Sequence, residues 1–105
     1  MRPAEPDRTL SLAGDAAAGM LALGGSLVFS SAGDSLRRLV AALPPAGSVA
    51  VDLSGISESD SAGLATLVEW RAQALRRGLH LRLAGAPEGL RALARLSDID
   101  ADLFD

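Results

Sequence analysis

At 105 residues the chain is long enough for one domain with a modest core, and too short for two. Apolar residues make up 49% but aromatics only 3%, so the core is built from Leu, Val and Ala; 10 basic against 13 acidic residues leave a net charge of −3. That balance argues against a nucleic-acid binder, which needs a basic face and stacking aromatics. The absence of cysteine excludes disulfides and thiolate metal sites.

The opening Met1-Arg2-Pro3-Ala4-Glu5-Pro6-Asp7-Arg8 has prolines and charges where a signal peptide carries an apolar stretch, and no run approaches the roughly 18 apolar residues of a spanning helix. Residues 1–7 are expected to form a mobile tail before a single domain over 8–105, placed in the cytoplasm. Thr9 to Ala13 reads as a short strand with Gly14-Asp15 as its turn, and Met20 to Leu23 as a second apolar run ending at Gly24-Gly25-Ser26. Ser31 followed by Asp34 is a weak capping box. The helix after it reaches about Leu43, with Leu36, Leu39, Val40 and Leu43 on one stripe and Arg37 and Arg38 toward water, and Pro44-Pro45 ends it.

The central stretch runs from Val49 to Leu64. Val49, Val51 and Leu53 alternate with Ala50 and Asp52, which predicts a strand over 49–53. Ser57-Glu58-Ser59-Asp60 breaks the pattern and reads as a polar turn, in which Ser59 or Asp60 can cap the next helix. That helix is expected from about Ser61 to Arg77, with Leu64, Leu67, Val68, Ala72 and Leu75 inward and Gly78 beyond its end. Leu79, Leu81 and Leu83 predict a further strand, with His80 on its opposite face. Pro87 suits the first turn of a last helix carrying Leu90, Leu93, Ala94 and Leu96, after which Ile99, Leu103 and Phe104 pin the chain to the core.

The order is strand, strand, helix, strand, helix, strand, helix. The first two strands are joined by a short turn and should be antiparallel; the later ones follow helical crossovers and should be parallel. The fold class is therefore α/β: a four-stranded mixed sheet with about three helices on one face.

A helix N-terminus just past a strand end makes the turn at residue 60 the candidate site. Asp60 is an N-cap or an acidic contact for a basic partner. Ser61 caps or satisfies backbone, or forms part of a binding surface; both hold together. As a nucleophile it lacks a base, since the sole histidine, His80, lies on a strand, and no Gly-x-Ser-x-Gly elbow surrounds it. Asp52, Glu58 and Asp60 fit no recognised metal-loop spacing. Asp52 is placed to hydrogen-bond the neighbouring turn. Trp70, at 100° per residue, falls off the leucine stripe beside Gly63, Thr66 and Ala74, and two readings stay open for it: packing at the core margin, or anchoring an interface.

Val51-Asp52-Leu53-Ser54-Gly55-Ile56-Ser57 followed by Asp60-Ser61-Ala62-Gly63-Leu64 resembles the STAS domain family, which includes the anti-sigma-factor antagonists. With the short chain, the stretch from Asp52 to Trp70 and the ending from Leu81 to Phe104, it is most similar to the MlaB branch, the STAS subunits of MlaFEDB-type phospholipid ABC transporters. The resemblance implies a non-catalytic subunit, without cofactor, that binds an MlaF-like ATPase subunit and through it, indirectly, the permease at the inner membrane. In the antagonists the regulatory phosphate goes on a serine directly before the glycine; here that position is Ala62, which speaks against a phospho-switched antagonist, the alternative reading. The partner-binding set implied is Asp60, Ser61, Ala62, Gly63, Thr66 and Trp70. The small residues would let another backbone approach, and Thr66 and Trp70, with Gln73 and Arg77, are expected on the helix's outer flank.

Overall fold

The computed structural model describes residues 9–105, so the expected tail at 1–7 lies outside the described residues. Four strands and four helices follow in order: β1 (Leu10–Asp15), β2 (Met20–Leu27), α1 (Ala32–Ala41), β3 (Gly47–Ser59), α2 (Ser61–Arg76), β4 (Leu79–Ala84), α3 (Glu88–Leu96) and the single turn α4 (Asp100–Leu103). The sheet order is β1-β2-β3-β4; β1 is antiparallel to β2, and β2, β3 and β4 are mutually parallel. Strand directions match those expected from the connections. A 3-10 turn over Ala16–Ala18, capped by Asp15 and closed by Gly19, joins β1 to β2.

Leu21, Leu23, Val49, Val51, Leu53, Leu79, Leu81 and Leu83 point inward and are buried beneath the helices with Leu39, Leu67, Leu90 and Ala94. The other face of the sheet carries Ala50, Asp52, Ser54, His80, Arg82 and Ala84, all exposed. A shallow trough of about 580 Å³ crosses it, walled by small residues such as Ala13, Ala22, Ala50 and Ala84. The chain ends against β4: Phe104 is buried and bridges Leu83, and Asp105 N–H donates to the Leu83 carbonyl at 2.8 Å. Leu103 is buried as well, as the spacing predicts.

Several expectations are corrected. β2 and β3 run well past the predicted stops, through Gly24-Gly25 and through Ser57-Glu58-Ser59. The reason is in the register. Ala22 pairs Asp52 but Gly24 pairs Gly55, and Gly25 pairs Ile56 but Ser26 pairs Glu58, so β3 carries an extra residue twice. Each bulge breaks the two-residue alternation that a strand otherwise shows, which is why the stretch reads as a turn. Ser31 occupies the N-cap position of α1 without capping it: its hydroxyl donates to the Val28 carbonyl, and Asp34 pairs with Arg37 instead. Leu96 is not in the core but 86% exposed.

Candidate functional site

Asp60 is the hinge-pin of the site. Its Oδ1 accepts from the Gly63 amide at 2.9 Å, capping α2, and its Oδ2 accepts from the Phe29 amide at 2.9 Å. Its own N–H donates to the Leu27 carbonyl at 3.3 Å. The carboxylate thus ties the 3-10 turn Phe29–Ser31 to the first turn of α2, and the backbone amide of the same residue adds the end of β2. The N-cap role of Asp60 read from the sequence is the one observed.

Gly63 explains how close these elements come. A Cβ built on it would stand 1.9 Å from the Leu27 carbonyl oxygen, inside any contact distance. The close backbone approach expected of the small residues is thus internal, between α2 and β2, and Gly63 is buried. Ser61 is exposed at the first position of α2, and Ala62 beside it is half-buried. No helix bond can satisfy the first amides of α2, and that of Gly63 is taken by Asp60, so the helix start is braced beside the Ser61 hydroxyl.

The expected outer flank of α2 is corrected. Thr66 is buried, its hydroxyl donating back to the Ala62 carbonyl at 2.9 Å. Trp70 is fully buried, and its indole N–H donates to the Leu39 carbonyl at 2.9 Å. That bond joins α2 to α1, so Trp70 is a core residue and settles to the packing side of the two open readings. Conversely Val68, expected inside, is 40% exposed, and Leu75 is 52% exposed. The helix is wedged against both the sheet and α1, so its buried face runs along Gly63, Thr66, Leu67, Trp70 and Ala74. Its outward row is Ser61, Ala65, Val68 and Leu75, spaced as one helical face. Beside that row, Ser61, Leu64, Ala65, Val68, Ser97 and Ile99 line a groove of about 290 Å³ toward the end of α3.

The sequence reading missed Phe29. It is 79% exposed directly beside the Asp60 cap. Its predecessors Leu27 and Val28 are buried, and an apolar run of three gives no signal as to which member turns out.

Asp52 lies within β3 on the open face, its Oδ1 accepting from the Ser54 amide at 2.9 Å. This backbone hydrogen bond, aided by the Ser54 side chain, holds its carboxyl below the ordinary aspartate range. It is thus bound to its own strand rather than to the site. Among the described residues, no three His, Cys, Asp or Glu side chains gather where they could hold a metal, and no helix is long and apolar enough to cross a membrane.

Comparison with known proteins agrees with this geometry. No curated protein matches the sequence. Among solved structures the chain is similar to that titled "The overall structure of SLC26A9", with a TM-score of 0.66 at 13% identity over 83% of this chain and 17% of the other. The chain therefore spans about a sixth of that protein, and the likeness is one of fold. The family model described as "Mlab, STAS domain" matches residues 10–105, and with it the strand order, the Asp60 cap and the motif around Ser61 take their place: this chain belongs to the Mlab STAS-domain family.

Proposed function

We propose that this chain is a non-catalytic STAS subunit that docks on the cytoplasmic ATPase of an MlaFEDB-type phospholipid ABC transporter, stabilising and tuning it. In that role it sits at the inner membrane only through the complex, which maintains outer-membrane lipid asymmetry. The observation that carries the reading is the form of the α2 start. Ser61 is exposed on a braced platform, followed by Ala62 at the antagonist phosphosite and by the outward row Ala65 and Val68. Such a surface offers shape and small side chains to a protein partner; it offers no base positioned to activate the Ser61 hydroxyl, since His80 is on the sheet's open face.

The test is co-purification with the ATPase subunit. Ser61→Arg adds bulk and charge at an exposed position, so the free domain should melt as the parent does while the complex is lost. Normal binding by the folded variant would remove Ser61 from the interface.

The alternative, an antagonist of an anti-sigma kinase, draws on one fact: the Ser61 hydroxyl is accessible. Mass spectrometry of protein from growing cells should find Ser61 unmodified. Stoichiometric phosphoserine there would favour the antagonist.

A further inference from the structure

Of the three aromatic residues, Trp70 and Phe104 are buried and Phe29 stands 79% exposed. A large apolar side chain in water is most often scattered and mute. Phe29 differs because its backbone is held. Its amide is bonded to Asp60 Oδ2, the residues before it are buried, and the Ser31 amide donates to the Val28 carbonyl at 3.2 Å, closing the turn. The chain has therefore fixed the backbone of the one aromatic among the described residues that it does not use in its core, and fixed it through the residue that precedes the candidate docking serine.

We propose that Phe29 is the aromatic anchor with which this domain engages the ATPase subunit, and that Asp60 is its positioning residue. The proposal rests on the docking reading above and deepens it. The occupant follows from continuity: Phe29 and Ser61 are carried by the two backbones that one carboxylate joins, so a partner seated on Ser61 meets Phe29 as part of the same surface. The chain neighbours of Phe29 and of Asp60, Ser30 and Ser61, are small, polar and exposed. An apolar centre within a polar rim is the usual anatomy of a protein interface, and anchors of this kind dominate its energy. A side chain whose backbone is already ordered also loses less freedom on binding. The matching feature on the ATPase is an apolar pocket sized for one ring.

The experiment titrates the purified ATPase subunit with parent, Phe29→Ala, Ser61→Arg, Asp60→Asn and Asp60→Asn/Phe29→Ala chains, each checked by thermal melt. Because the ring is in solvent, Phe29→Ala should melt like the parent and bind about tenfold more weakly or worse. Asn has one acceptor oxygen and cannot serve both the Gly63 and Phe29 amides. Asp60→Asn should therefore weaken binding in the parent background and have much less effect once Phe29 is gone, a coupling that a purely structural role for Asp60 would not produce. If Phe29→Ala binds like the parent while Ser61→Arg does not, the anchor is overturned and the docking reading stands. If both bind like the parent, the docking reading itself falls. If Phe29→Ala leaves ATPase binding intact but abolishes self-association of the free chain, the ring belongs to a contact between copies and the proposal is overturned.

Discussion

Gly63 shows how one atom sets the geometry of the whole site. Alanine at this helix position would gain about 1 kcal/mol in intrinsic propensity. Its methyl group would also overlap the Leu27 carbonyl, a backbone atom that cannot swing aside. Overpacking costs roughly 1–3 kcal/mol and occasionally more, and against a backbone atom at 1.9 Å the clash outweighs the propensity. Gly63→Ala is expected to lower the denaturation midpoint clearly and to weaken partner binding with it; an unchanged melt would mean that α2 can slide from β2 freely. Asp52 gives a prediction of the opposite kind, small and local. Its carboxyl is depressed by the Ser54 amide, so the ionised form is favoured in the folded chain. What stability this contributes is fully present above the ordinary aspartate pKa of about 3.9 and is lost as pH falls through the lower folded value. An NMR titration of the side chain should give a midpoint below that of a free aspartate, and Asp52→Asn should remove the corresponding acid-limb slope.

At the scale of the element, α2 decides how much the periodicity of a helix can tell. Apolar residues occur nearly all round it, so a stripe drawn through the leucines finds Leu64 and Leu67 correctly and then drifts outward to Val68 and Leu75. The contact line is instead marked by small residues, Gly63 and Ala74, and by Trp70, whose indole reaches the Leu39 carbonyl. Those signals depend on a second neighbour, α1, that a one-sided helix pattern does not contain. Two alanine substitutions separate the faces. Leu67→Ala should cost roughly 2–5 kcal/mol, since its side chain is fully buried. Val68→Ala, at a position 40% open to water, should cost well under that, on the order of 0.5 kcal/mol. Equal costs in a denaturant melt would contradict the orientation of α2. The strands were legible where side chains alternate, as in β4, and illegible where bulges interrupt them, as in the last half of β3.

At the scale of the molecule, topology was the most readable level because it follows from connection length. Only a short turn separates β1 from β2, whereas helices separate the rest, and the pairing obeys that division. The covering of a single face was readable for the same reason, and the Asp60 cap from a residue type at a helix start. What stayed hidden was the bond from Asp60 to Phe29, since the two lie 31 positions apart and neither forecasts the other. The far end of the chain offers a check on the whole assembly. Phe104 is 8% exposed and bridges β4, so Phe104→Ala should lower stability by roughly 3 kcal/mol, measured by chemical denaturation. A neutral result would show that the final residues are not part of the cooperative unit.

The bonds of Asp60 also bear on when the chain becomes recognisable. Its contacts to Leu27 and Phe29 exist only after β2 and β3 have paired, because those partners lie more than thirty positions upstream. An unfolded or half-folded chain can expose the same Phe and Ser, but not at one spacing. Any protein that grips both is therefore selecting for completed folding, and by mass action it shifts the equilibrium further that way, by about 2.7 kcal/mol when present at a hundred times its Kd. A partner of that kind would take up only copies that have closed the sheet and pass over the rest.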